Sequence, residues 1–178
     1  MNAFSTTVLA AALFAAACTS DDGPTPLGPS GESNVGLVIN EFLASNDNVN
    51  TDPDIGDFGD WIEIYNTSSA TIDMGGMYLT DDLSEPTKWQ FPAATTLVSG
   101  GFLLVWCDDE DTAGEALHTN FKLSSGGEAV GLYDIDGATA IDTLTYGEQT
   151  TDISYGRTTN GGEAWTTFAT PTPGAPNN

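Results

Sequence analysis

The chain has 178 residues and carries 26 Asp plus Glu against three basic residues, Lys88, Lys122 and Arg157, for a formal charge of -23. Its hydrophobic share of 39% lies below the usual roughly 45–50%, yet aromatic residues are spread along it and the length suits one domain with a real core. A phosphate backbone is recognised by clustered Lys and Arg, so nucleic acid is excluded as a partner, and an anionic membrane surface suits the folded part no better.

In chain order, the first seventeen residues hold no charge. Val8 to Ala17 is an alanine-rich apolar run ending Ala15-Ala16-Ala17-Cys18. Ten apolar residues are too few to cross about 30 Å of hydrocarbon as a helix. Their length and the small residues after them read as a signal peptide over residues 1–17. The cysteine that follows resembles the acylated residue of a bacterial lipobox, which implies lipidation of Cys18. The alternative is an ordinary signal peptide cut near Ala17. Residues 18–34 form a spacer of Pro, Gly, Ser, Thr and Asp with Leu27 as its one large apolar residue. Such a segment buries too little surface to offset its ordering entropy. The expected location is therefore a bacterial envelope or cell surface, reached by export and held by lipid, or else secretion.

From Val35 the chain reads as strands. Runs rich in β-branched and aromatic residues alternate with Gly, Asp, Asn and Ser. The expected strands are 36–43, 61–66, 71–73, 77–80, 88–91, 102–107, 129–133, 141–146 and 153–156, a pattern that suggests a sandwich or barrel over residues 35–178. Asp134-Ile-Asp-Gly137 reads as a hairpin turn. Thr170 to Asn178 is proline-rich and reads as an extended, packed tail. In Trp61-Ile-Glu-Ile-Tyr65, Glu63 shares a face with Trp61 and Tyr65. Glu41 sits in a similar apolar setting. A carboxylate there needs a partner, one of the three basic residues or a bound cation.

The densest candidate site is the loop Asn46 to Asp60, with aspartates at 47, 52, 54, 57 and 60. Calcium takes six to eight oxygens from a loop able to fold round it. Asp52, Asp54, Asp57 and Asp60, with a turn at Gly56, are the candidate calcium ligands. The alternative is a solvated acidic loop whose residues serve its turns. Asp108-Asp-Glu-Asp111 is a second acidic run that reads as a solvated loop, with a metal site as the alternative. His118 is the sole histidine and offers no zinc spacing, and Cys107 reads as a small buried hydrophobe. No nucleophile elbow, His–Cys pair or phosphate loop is present. Glu41 and Glu63 are the one carboxylate pair on which a hydrolase reading would rest. Trp61, Trp89 and Trp106 fall in core patterns, which leaves Trp165 as the candidate for a glycan platform.

The strands also carry a resemblance. Val38-Ile-Asn-Glu-Phe-Leu-Ala-Ser-Asn46 followed by Asp60-Trp-Ile-Glu-Ile-Tyr-Asn66 resembles the opening of a bacterial lamin-tail domain. Asp73 to Asp81, Lys88 to Pro92, Gly100 to Trp106, Leu117 to Leu123, Gly126 to Tyr133, Asp152 to Arg157 and Pro171 to Asn177 continue it in order. The resemblance implies an immunoglobulin-like β-sandwich and an accessory module with no catalytic motif. The expected function is thus a non-catalytic binding or structural module of the envelope, with an unidentified protein or polysaccharide as partner and calcium as its candidate cofactor. A glycan-binding accessory module is the alternative, and a carboxylate-based hydrolase is a third reading.

Overall fold

The β-branched and aromatic runs form strands wherever their alternation can give one face to a core. A computed structural model describes residues 36–111 and 114–178. The expected export segment, Cys18 and the spacer lie outside the described residues. None of the described residues is helical. The strands are β1 (Leu37–Leu43), β2 (Asp60–Asn66), β3 (Ile72–Asp73), β4 (Tyr78–Thr80), β5 (Trp89–Gln90), β6 (Thr96–Leu97), β7 (Phe102–Cys107), β8 (Leu117–His118), β9 (Glu128–Tyr133), β10 (Ala140–Tyr146), β11 (Ser154–Arg157) and β12 (Trp165–Phe168). All nine expected strands are present, with ends shifted by no more than one residue. β6, β8 and β12 were not expected. Two of these are two-residue pairings too short to show a period, and the third follows a glycine pair and precedes the proline-rich tail.

Three sheets result. A six-stranded sheet runs β12-β11-β1-β2-β7-β8, a four-stranded sheet runs β10-β9-β4-β5, and β3 pairs with β6. Among the described residues every strand pairing is antiparallel except β7 with β8. The hairpin turn expected at Asp134 to Gly137 joins β9 to β10, closed by a Gly137 amide donating to the Asp134 carbonyl at 2.9 Å.

The inner faces of the two larger sheets share one core. Leu37, Ile39, Phe42, Ile62, Ile64 and Val105 come from the six-stranded sheet, and Leu79, Trp89, Val130, Leu132 and Tyr146 from the other. Each such side chain contributes about 1.5–3 kcal/mol on burial. A smaller cluster, Leu43, Trp61 and Trp106, lies on the outer face of the six-stranded sheet. β2 is thus covered on both sides, which fixes its register. A one-residue slip would exchange Ile62 and Ile64 for Trp61 and Glu63 and drive a carboxylate into the apolar core.

The register of β1 breaks between Ile39 and Glu41. Ile39 faces Ile64 and Glu41 faces Glu63, so Asn40 is the extra residue of a β-bulge. Leu37 and Ile39 point into the core before it, Phe42 and Ala44 after it. The bulge lets the strand keep an apolar inner face while placing Asn40 and Glu41 together opposite Glu63. Ile39 has its own polar groups met from outside the ladder. Its amide donates to Asp142 Oδ2 at 2.8 Å and its carbonyl accepts from Arg157 Nε at 2.8 Å. Arg157 also pairs with Asp142 at 2.7 Å and lies 5.0 Å over the Trp165 ring.

Glu41 and Glu63 are fully buried, and among the described residues neither is met by a basic residue or placed in a cation-binding group. Their partners are neutral donors, largely from the tail. Glu41 Oε1 accepts from Ser154 Oγ and, at 3.0 Å, from the Thr172 amide, while Oε2 accepts from Thr172 Oγ1 at 2.7 Å. Glu63 accepts from Asn40 Nδ2 at 3.0 Å and from the Gly174 amide at 2.6 Å. Asn177 completes the seam. It accepts from Asn40 Nδ2 at 3.1 Å and donates to the Arg157 carbonyl at 2.6 Å. The tail is irregular, as expected, but it is an integral lid over buried charge.

Deleting residues 172–178 removes these donors from two buried carboxylates. It is expected to cost roughly 3–6 kcal/mol, since each unsatisfied buried group costs about 1–3 kcal/mol, seen as a fall of more than about 10 °C in a thermal melt. A truncated chain melting with the full chain would refute the lid.

Burial pushes the Glu63 carboxyl up to about 7, against the opposing hydrogen bonds of Asn40 and Gly174 and with the help of the Glu41 charge. The folded state therefore holds a proton that the unfolded chain releases near 4.5. This contribution to stability is complete below about 4.5 and lost as pH rises through about 7, an effect of order 1–3 kcal/mol. Glu63→Gln should flatten the decline in melting temperature between those pH values, whatever its absolute stability. Parallel curves for the two proteins would contradict the assignment.

Candidate functional site

The loop between β1 and β2 holds the acidic cluster, and its base is organised by Asn46. The Asn46 side chain donates to the carbonyls of Asn50 at 3.2 Å and Gly59 at 2.8 Å and accepts from the Val49 amide at 3.0 Å. Asp152, at φ 63°, reaches across from the start of β11 and accepts from the amides of Asp47 at 2.8 Å and Asn48 at 3.0 Å. The Asp47 amide first, then the Asn48 side chain, which donates to Oδ2 at 3.2 Å, hold the Asp152 carboxyl below its ordinary range.

Inside the loop the chain turns at residues 52–57. The Asp52 amide donates to the Asp57 carbonyl at 2.8 Å and the Gly56 amide to the Asp52 carbonyl at 2.9 Å. Gly56 takes φ 75°, which the turn requires and which a side chain would resist. Asp52 Oδ1 accepts from the Asp54 amide at 2.8 Å. This geometry sends the Asp52 carboxylate inward, where it is fully buried.

The four expected calcium ligands separate. Asp52 and Asp54 point toward His118. Asp57 is exposed and accepts from the Phe58 amide at 2.9 Å. Asp60 accepts from the Asn46 amide at 3.1 Å. Burial raises its carboxyl to about 6, against that bond and the nearby Lys122 charge. Neither Asp57 nor Asp60 belongs to the potential metal-binding group found among the described residues, which is Asp52, Asp108 and His118.

That group forms because β8 returns parallel to β7. Trp106 faces His118 across the pair, and Asp108 is the first residue after β7. The strand pairing therefore sets the imidazole beside the Asp108 carboxylate. Asp108 Oδ2 lies 2.9 Å from His118 Nδ1, and Asp52 Oδ2 lies 3.3 Å from the same nitrogen. On the other side of the ring, Asp54 Oδ2 lies 3.3 Å from Nε2. Asp54 is fixed by the amides of Glu115 at 2.8 Å and Ala116 at 2.6 Å. Gly114 makes this approach feasible, since a Cβ there would sit 1.8 Å from Asp54 Cγ. The amide bonds, Ala116 first and Glu115 second, hold the Asp54 carboxyl below its ordinary range. Burial alone would lower the proton affinity of His118. The hydrogen bonds to Asp108 and Asp54 and the charges of Asp108 and Asp52 outweigh it and raise that affinity.

In the sequence Asp108 belongs to an acidic run read as a solvated loop with a metal site as the alternative, and His118 is no candidate. A two-residue strand has no periodicity, and a single His with no neighbouring ligand has no spacing to read. The one available signal was that both lie close to strongly patterned strands. Cys107 is buried at the end of β7 as expected, and burial pushes its thiol well up. Trp165 is not a free platform. Its ring stacks on Tyr155 at 5.3 Å and under the Arg157 guanidinium.

A groove of about 560 Å³ runs beside His118, with walls that include Lys88, Trp89, Gln90, Leu117 and Asn120. Gln90 and Asn120 are exposed, and Trp89 forms a buried wall. Lys88 is tied to Asp81 at 2.5 Å.

No curated protein matches the chain. The family model described as Lamin Tail Domain matches residues 30–148. The remainder supplies β11 and β12, which complete the six-stranded sheet on the edge of β1. With more than half of the sequence inside that match and an immunoglobulin-like two-sheet sandwich formed by its strands, the chain belongs to the lamin tail domain family.

Proposed function

We propose that the protein is a non-catalytic binding module, exported and held at a bacterial envelope by lipid on Cys18. The observation that carries the non-catalytic part is the state of Glu41 and Glu63. Both are buried and engaged with neutral donors beneath residues 172–177. A carboxylate pair that acts on a glycosidic bond needs room for substrate and water between its members, and this pair is closed over by its own chain. Lamin-tail membership supports the same reading. The anchoring part rests on the sequence before residue 35, where an uncharged apolar run leads to Ala17-Cys18 and a proline-rich spacer. Two acyl-type chains make a stable anchor where one gives only reversible binding. A domain at the end of a spacer can then meet partners away from the bilayer.

A second reading is favoured by the groove beside His118. Its exposed amides, Gln90 and Asn120, over a tryptophan wall provide donors and acceptors of the sort that sugar hydroxyls need. On that reading the module holds an extracellular polysaccharide, and Trp165 has no part in it.

Two measurements test these statements. Cys18→Ala should move the protein from the membrane fraction to the soluble exported fraction, and an unchanged distribution would refute lipid anchoring. Replacing Gln90 and Asn120 together with Ala should leave the melting temperature within a few degrees, as is usual for surface positions. It should also abolish retardation in polysaccharide affinity gels. Undiminished retardation would place any glycan contact elsewhere.

A further inference from the structure

The geometry points to a divalent transition-metal site of the zinc class formed by Asp52 Oδ2, Asp108 Oδ2 and His118 Nδ1, with Asp54 orienting the imidazole from its other nitrogen. The three donor atoms lie within 4.8 Å of one another and all three residues are buried. The spacings that are fixed by the fold, 2.9 Å and 3.3 Å from Nδ1 to the two carboxylates, are close to the edges of a tetrahedron with metal bonds of 2.0–2.2 Å, which are roughly 3.4 Å long.

A second observation is independent of the acidity. Asp52 Oδ2 is completely buried and has no hydrogen-bond partner. It is aimed at His118 Nδ1, but one ring nitrogen carries at most one hydrogen, and Asp108 holds the closer position. A cation between the three satisfies Asp52, Asp108 and Nδ1 at once. No single proton does so.

The outer contacts match as well. A metal-bound imidazole keeps its other N–H for a carboxylate, which fixes the ring and raises its donor strength. Asp54 is placed for this at Nε2, and its own position is fixed by two backbone amides. Asp108 also lines a concavity of about 240 Å³ with Asp57, Asp60 and Lys122, so one of the three donor residues borders open space.

The chemistry of the donors selects the class. Calcium prefers six to eight oxygens. Two carboxylates with one imidazole suit zinc and its neighbours in the transition series. The ion would add a second tie between the β1–β2 loop and the β7–β8 pair, which Asp54 already joins through the Glu115 and Ala116 amides.

The test uses the purified full chain, stripped with EDTA and titrated separately with ZnCl2 and CaCl2. ZnCl2 at about 100 times its Kd should raise the melting temperature by roughly 5–10 °C. Because His118 is the sole histidine, its ring gives one set of nitrogen resonances. Zinc should move Nδ1 to a metal-bound shift and leave Nε2 protonated. Asp52→Asn, which keeps the shape of the side chain, should lose zinc binding while staying folded. Asp54→Asn should weaken it about 10–100-fold. The proposal is overturned if up to about 1 mM ZnCl2, already a weak affinity, changes neither melting nor the ring. It is also overturned if Asp52→Asn binds like the parent, if zinc binds without moving Nδ1, or if calcium stabilises the chain and zinc does not.

Discussion

A carboxylate taken out of water must be met by a cation or by N–H and O–H donors, and a chain with 26 acids and three bases has to rely on the donors. That constraint organises the molecule. Glu41 and Glu63 stand side by side in the middle of the largest sheet, and the bulge at Asn40 brings an amide donor to them. The last stretch of chain brings the rest. Asp142 and Asp152 follow the same rule, each drawing backbone amides from a strand or loop distant in sequence. The bases are spent sparingly. Arg157 binds Asp142 and the Ile39 carbonyl at the point where the ladder of β1 is broken, and Lys88 holds Asp81 at the lip of the groove.

The strands were legible because their signal is local. Phe102 to Cys107 and Ala140 to Tyr146 announce themselves through side chains alone. The partners of the buried carboxylates were not, because they depend on which distant segment the fold delivers. The sequence suggested a basic residue or a cation for Glu41 and Glu63. Their donors come from Thr172 and Gly174, residues of a tail with no hydrophobic pattern. The candidate site was half legible for the same reason. Asp52 and Asp54 stood out in a dense acidic loop, whereas His118 acquired its meaning from a two-residue parallel pairing that only the folded chain contains.

The two faces of the six-stranded sheet divide the labour of the molecule. The inner face supplies the apolar core of the sandwich. The outer face carries Leu43, Trp61 and Trp106 under the β1–β2 loop, and the edge of that patch is where Asp52, Asp108 and His118 meet. A binding module can vary such loop-borne features without touching its core, because loops tolerate change that packed strands do not. The groove next to His118 uses the same edge, so a ligand there and the acidic loop would feel one another.

The tail has a consequence for the order of events in folding. β1 and β2 are neighbours in sequence and pair early in any chain growing from its N-terminus. Their two buried carboxylates nonetheless wait for donors 111 to 131 positions further on. Until those arrive, the two carboxyls have to stay in water and the sheet cannot be covered at its centre, and such long-range closure slows folding. The hairpin on its own is therefore a poor resting point. A nascent chain stays pliable until residues 172–177 have been made and can meet the carboxyls of β1 and β2.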